Sequence, residues 1–171
     1  MAKKSISISL VSSKEQLENE ISYDDFEFKD YFKHICDLKP NIAEEKLELI
    51  VIDEKGCNRV GLVYVFVIDG KIFKIGQSIN NIKDRLQSYN CGKFEYRLKG
   101  TCSTTNFFVL QSLLKINEPV YVYAYFPEQP EYEVFNKKFK NNRPPLKTAE
   151  NLIIQDFIDR YDKKPIGCTQ K

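Results

Sequence analysis

Between residues 61 and 89 the chain reads GLVYVFVIDGKIFKIGQSINNIKDRLQSY, and four side chains in that stretch can do chemistry: the phenols of Tyr64 and Tyr89, the ammonium of Lys74 and the guanidinium of Arg85. They sit among apolar residues that would otherwise make a plain core, and polar groups on core elements are costly unless something pairs with them. Arginine offers a planar, permanently charged fork that matches phosphate oxygens. A carboxylate appears much later: Glu150 precedes Ile153, Ile154 and Phe157 by three, four and seven residues, which puts it on the inward face of a helix start. A half-buried carboxylate calls for a cation or a hydrogen-bonding partner. Taken singly, each has an ordinary explanation: Tyr64 as a strand aromatic, Lys74 as a hairpin lysine, Arg85 as a solvated helix residue, Glu150 as a first-turn acid facing the helix dipole. Their joint order is what needs explaining.

The elements that must position them follow from patterning. Residues 62–68 are apolar on both faces, as in a central strand, and 71–75 return antiparallel after Asp69 and Gly70. Turn length then decides which side chains meet. A two-residue Asp69-Gly70 turn pairs Val65 with Lys74 and sends Tyr64 and Lys74 to opposite faces. A three-residue loop over 68–70, with Gly70 left-handed in a bulge, pairs Tyr64 directly with Lys74. The second is expected, because only it lets the two residues share a site. Residues 80–90 read as a short helix capped by Ser78 and stopped at Cys91-Gly92, with Ile79, Ile82 and Leu86 inward and Arg85 and Tyr89 side by side at i and i+4. A second helix over 105–116, a third strand over 121–126 and a last helix capped by Thr148 complete the core. Upstream, the acidic and aromatic stretch 13–38 reads as one or two helices ended by Lys39 and Pro40, and 43–53 opens helical and finishes as a strand.

Composition narrows the class. The 171 residues suffice for one domain with a real interior. No apolar run is long enough to span a bilayer and MAKKSISISL lacks a leader-type apolar stretch, so a cytoplasmic protein with no membrane contact is expected. Five scattered cysteines and the single histidine, His34, suit neither a disulfide framework nor a zinc site. The net charge of +2 divides unevenly: residues 1–58 carry eight Lys and thirteen acids, whereas 59–171 carry eighteen Lys or Arg and eleven acids. The basic part holds the tyrosine and arginine motif, which suits a polyanionic partner.

The sequence of Tyr64 in Leu62-Val63-Tyr64, then Lys74-Ile75-Gly76, Gln77-Ser78, Arg85 on the next helix and Glu150 on the last, resembles the catalytic core of the GIY-YIG nucleases over about 61–161. Leu62-Val63 stand where that family has Gly-Ile, and Lys74 stands in place of the second-motif tyrosine. The family's frequent closing asparagine has no clear counterpart in 165–171. The resemblance implies an α+β fold: a GIY-YIG core with a three-stranded antiparallel sheet flanked by helices, a 59–171 nuclease core, an N-terminal extension over 1–58 and a basic DNA-contacting insertion at 134–147. The extension is expected to serve dimerisation or DNA wrapping.

It also implies roles. Tyr64 would act as the base toward water, Lys74 would favour its phenolate or touch that water, Arg85 and Tyr89 would hold the phosphate, and Glu150 would bind one Mg²⁺ per site, with Mn²⁺ able to substitute. Lys93, Arg97, Lys99, Lys137, Lys138, Lys140, Arg143 and Lys147 would grip the DNA backbone, with Asn141 and Asn142 able to reach base edges. Residues 103–106, Ser-Thr-Thr-Asn, carry similar base-reading groups. A type II restriction endonuclease acting on double-stranded DNA as a homodimer is the expected function. Alternatives are a nicking or repair nuclease of the same superfamily and a catalytically inactive DNA-binding module.

Overall fold

Strand β3 (Leu62–Ile68) is buried at every residue, as its two-sided apolar run requires. In this computed structural model, which describes residues 14–168, β3 lies between β4 (Lys71–Ser78) and β5 (Val120–Tyr125). The reading of MAKKSISISL and the final residues of the 165–171 comparison lie outside the described residues. The sheet continues beyond β5 through β1 (Lys33–Asn41) to β2 (Lys46–Val51), giving the order β2-β1-β5-β3-β4 with antiparallel neighbours throughout. The sheet therefore has five strands where three were expected, because the N-terminal extension supplies two of them.

That extension also departs from its helical reading. Helix α1 (Lys14–Glu18) is short, and the aromatic stretch forms only single 3-10 turns at Tyr23–Asp25 and Lys29–Tyr31 before β1 begins. Long-range pairing with β5 wins over local propensity at 33–38. Pro40 falls past the last β5 pair, where one side of β1 is open, a position proline tolerates. A short helix α2 (Glu54–Asn58), capped by Asp53, leads into β3.

The turn after β3 contains two residues, Asp69 and Gly70, both with positive φ (49° and 72°), so the expected three-residue loop is not formed. Ile68 pairs with Lys71 and Val67 with Ile72, but a bulge then inserts Phe73, so that Phe66 pairs with Lys74 and Tyr64 with Gly76. Direct Tyr64–Lys74 pairing is thus corrected. The bulge nonetheless returns Lys74 to Tyr64's side of the strand: Ile72 and Ile75 pack with one layer, Phe73 with the layer that holds Tyr64.

Helix α3 (Ile82–Asn90) and α5 (Thr104–Ile116) cover the Tyr64 face, packing Leu86, Tyr89, Phe108 and Leu113 with Tyr64, Phe66 and Ile68. The cap of α3 is Asn81, whose Oδ1 accepts the Asp84 N–H at 2.9 Å; Ser78 Oγ serves Asn80 instead. Ile79, expected in the core, is 61% exposed in the resulting turn. An unanticipated helix α4 (Phe94–Leu98) precedes α5. The other face holds Phe26, Phe32 and α6 (Leu146–Tyr161), with Leu146, Ile153 and Phe157 against Val63 and Val65. The cap is Pro145, three residues before the expected Thr148, where a missing N–H costs nothing. The basic segment forms a hairpin, β6 (Glu131–Val134) and β7 (Lys137–Lys140), that pairs only with itself.

Candidate active site

Tyr64 points from the middle of β3 into the α3 layer, where its ring has room because β4 offers no side chain there. A Cβ on Gly76, directly opposite, would come 2.5 Å from Tyr64 Cζ and 2.9 Å from Cε2. Helix α3 brings Arg85 and Tyr89 to the same point. The Tyr64 and Tyr89 hydroxyls are 2.5 Å apart, Arg85 Nε donates to Tyr64 Oη at 3.0 Å, and Arg85 Nη2 donates to Tyr89 Oη at 3.1 Å. The guanidinium also lies over the Tyr89 ring, 4.3 Å from its centre. Three of the expected site residues therefore form one hydrogen-bonded unit.

Electrostatics inside the unit favour a charged arginine and neutral Tyr89. Burial opposes the Arg85 charge, but the two phenol oxygens facing it outweigh that, and its pKa ends above the usual value. Burial is the main force raising the Tyr89 phenol well above 10, with Tyr64 adding to it and Arg85 only partly opposing it. Tyr64 and Tyr89 are both fully buried, whereas Arg85 is only partly covered. The Tyr89 hydroxyl, expected at the phosphate, is bonded to Arg85 and Tyr64. The Arg85 Nη1 group has no hydrogen-bond partner among the described residues and remains available.

Lys74 is placed differently from expectation. Its buried ammonium donates to the Gly167 carbonyl at 2.8 Å, from the short 3-10 turn Ile166–Cys168 that closes the open edge of β4. Close packing there needs Gly167, since a Cβ would lie 2.8 Å from Lys74 Cβ and from the Phe73 carbonyl oxygen. Arg85, and not Lys74, contacts the Tyr64 hydroxyl. In the same turn Cys168 is bonded to both backbone groups of Ile75. Burial pushes the Cys168 thiol up, Lys74 pulls it down and Glu150 pushes it up again, so both charges bear on one thiol at the β4 edge. Glu150 is the second-turn residue of α6, its side chain 13% exposed, with Oε2 paired to Lys147 Nζ at 2.8 Å. Its Oε1 has no hydrogen-bond partner among the described residues.

Two recesses open beside Arg85 and Lys147, and neither Lys74 nor Glu150 lines them. A pocket of about 320 Å³ is lined by Gln77, Ser78, Asn80, Asp84, Arg85 and Ser88. A larger cleft of about 1200 Å³ runs past Arg59, Gly61, Lys140, Asn142, Arg143 and Lys147, and Gln77 and Ile79 line both. Lys140, Asn142, Arg143 and Lys147 thus reach the cleft. Lys137 and Lys138 lie further out on β7, and Asn141 closes the hairpin base through Pro130. Lys93, Arg97 and Lys99 belong to α4 and its flanks, bonded to the Glu44 carbonyl, Thr104 and Glu95 respectively, and do not line the cleft. Ser103 caps α5, and Asn106 bonds Ser88. Gln77 was given no role in the sequence reading, yet it lines both recesses and its Oε1 is buried without a partner among the described residues. Its signal was only its place directly after Lys74-Ile75-Gly76.

This fold has counterparts among nucleases. Restriction endonuclease HPY188I, whose structure was solved in complex with product DNA, is 57% identical over 100% of this chain and 99% of that one, with a TM-score of 0.73. Bacteriophage T4 EndoII, solved as a mutant, shares the fold at 17% identity over 79% of this chain and 92% of that one, with a TM-score of 0.55. No protein-family model matches the sequence, and no curated protein matches it. The chain belongs to the restriction endonuclease family represented by HPY188I, a family of site-specific deoxyribonucleases.

Proposed function

We propose that this protein is a type II restriction endonuclease of the GIY-YIG superfamily, hydrolysing double-stranded DNA at a specific sequence to 5′-phosphate and 3′-hydroxyl ends in a Mg²⁺-dependent reaction. The observation that carries the reading is Arg85, shared between two buried phenols on one side and facing the pocket beside a basic cleft on the other. The phosphate gains negative charge as it is attacked, and a preorganised cation lowers that barrier. Arg85 holds the scissile phosphate with its remaining N–H groups, its orientation fixed by Tyr64 and Tyr89. Tyr64 accepts the proton of the attacking water. Tyr64 takes it as the phenolate and becomes the neutral phenol, and the Arg85 Nε–H bond holds that oxygen in place for the transfer. Lys74 supplies a second positive charge from the β4 edge.

The donor set suits magnesium. Among the described residues no three acids, histidines or cysteines cluster as a metal cage, and a single, largely covered carboxylate fits an ion that keeps most of its waters. Glu150 would hold it, and when bound the ion would stabilise charge on the departing 3′ oxygen. Mn²⁺ would serve in its place.

One site for one strand calls for two subunits, so a two-fold homodimer on a near-palindromic sequence follows. The 1–58 extension is the proposed contact or wrapping element: β2 is an open edge of the sheet, and Ile50 and Val51 at its end and Ile52 just past it are 49%, 39% and 53% exposed. No helix of the described residues is long and apolar enough to cross a membrane, and a restriction enzyme would work in the cytoplasm.

Incubation with plasmid and phage DNA, with Mg²⁺ or with EDTA, tests the reading. Discrete fragments that depend on Mg²⁺ are expected. A smear, nicks alone, or retarded but intact DNA would each overturn it.

A further inference from the structure

We propose that the β6–β7 hairpin is a DNA-inserting arm, and that Phe135 at its tip wedges into a base step of the duplex held in the adjoining cleft. The inference rests on the nuclease reading above and deepens it. Phe135 is 94% exposed, more than any other large apolar residue described. It also sits at φ 53°, followed by Asn136 at φ 61°, in a two-residue turn. Such turns favour Asn, Asp and Gly, and a bulky aromatic in the left-handed region is disfavoured. The same chain shows the ordinary solution in its β3–β4 turn, which uses Asp69 and Gly70. Phenylalanine therefore helps neither the turn nor the core.

The stem holds the tip out. All four residues of each strand are exposed, and the two strands pair with nothing else. Tyr132 and Phe139 stack across one side with ring centres 5.9 Å apart, while Glu131 and Lys140 pair at 3.3 Å on the other. Four strand residues reach about 13 Å, enough to enter a groove roughly 8 Å deep. The hairpin base, through Pro130, Glu131 and Lys140, forms part of the cleft wall.

Charge selects the occupant. From 136 to 147 the chain has Lys137, Lys138, Lys140, Arg143 and Lys147 and no acid, the setting for a polyanion and not for an apolar protein surface. An apolar side chain flanked by cations and aimed at DNA is the device that unstacks a base step and kinks the duplex. The surrounding lysines hold the backbone while the ring enters.

The test begins by mapping where the wild-type protein cuts phage DNA. Short duplexes centred on that site then carry 2-aminopurine at each position in turn and are bound in Ca²⁺. Wild type should raise fluorescence sharply at one step. Phe135→Gly suits the left-handed turn better, so its urea midpoint should hold or rise. Its fluorescence rise should vanish and its binding weaken about tenfold. Phe135→Trp should restore both. A glycine variant with unchanged binding and fluorescence would overturn the proposal, as would one whose only defect is a changed oligomeric state by gel filtration. If wild type cuts no DNA, the nuclease reading falls and takes this inference with it; cutting without a fluorescence response at any step sinks the wedge alone.

Discussion

Gly76 lies directly across the β3–β4 ladder from Tyr64, and the side chain it lacks is the space that the Tyr64 ring fills. The Ile75-Gly76 pair is thus a steric condition for the Tyr64–Arg85–Tyr89 unit. Replacing Gly76 with alanine puts a methyl group into a ring clamped by two hydrogen-bonded neighbours, so relief by rotation is blocked. We expect Gly76→Ala to cost about 1–3 kcal/mol of stability, the range for overpacking a core, and to remove cleavage. Urea unfolding and plasmid digestion measure both, and full activity in the variant would show that the ring can move aside.

Tyr89 hydrogen-bonds both Tyr64 and Arg85, and its expected role is to position them. Tyr89→Phe removes the acceptor for Arg85 Nη2 and one partner of the Tyr64 hydroxyl. Expected is a stability loss of about 1–3 kcal/mol for the groups left unpaired and a lower kcat with little change in KM. A merely structural role would leave the kcat pH profile unshifted; displacement of its alkaline limb is the signature of positioning.

Alkali should unfold this protein early. The Tyr89 phenol is raised above 10.0 chiefly by burial, and burial likewise raises the Cys36 thiol above 9.0. In the unfolded chain both lose protons near those ordinary values, whereas the folded chain retains them. Their contribution to stability is therefore complete below about pH 9 and falls as pH rises through 9 to 10 and beyond. Urea midpoints at rising pH should drop across this window, and less steeply in Tyr89→Phe; a flat profile would contradict the burial of both groups.

Gln77 bridges the two recesses with a buried, unpartnered Oε1. Replacing the amide by the similarly sized methionine removes an unsatisfied acceptor, which is close to neutral or stabilising for the fold. We expect Gln77→Met to keep or raise the thermal midpoint while cleavage falls about tenfold or more, the worth of one lost hydrogen bond at substrate. Wild-type cleavage with a raised midpoint would mark Gln77 as a plain packing defect.

Lys74 and Glu150 should separate binding from chemistry. Lys74→Met leaves the Gly167 carbonyl without its donor, and Glu150→Gln removes the carboxylate charge. Both variants should still retard DNA but cut it at least a hundredfold more slowly, the scale of losing one electrostatic stabiliser. Cleavage near the parent rate by either would remove that residue from the chemistry.

Several parts of this arrangement were legible in the chain because they follow from local geometry. An apolar run on both faces makes β3 central; i and i+4 spacing sets Arg85 beside Tyr89; the stripe of Ile153 and Phe157 turns α6 inward. Backbone periodicity alone dictates these. The face on which Lys74 lies was not legible, because it depends on one residue of register. Asp69-Gly70 makes the short turn that its residue types prefer, and only the packing of Ile72 and Ile75, three residues apart, into one layer requires the bulge that brings Lys74 to Tyr64's side. Long-range contacts likewise decided that Arg85 and not Lys74 meets the Tyr64 hydroxyl, that residues 33–51 extend the sheet, and that the basic segment stands out as a hairpin. Sequence by itself supplied the chemical groups and their spacing along each element; tertiary structure chose their partners, since pairing between distant segments is settled by shared burial and not by neighbours in the chain.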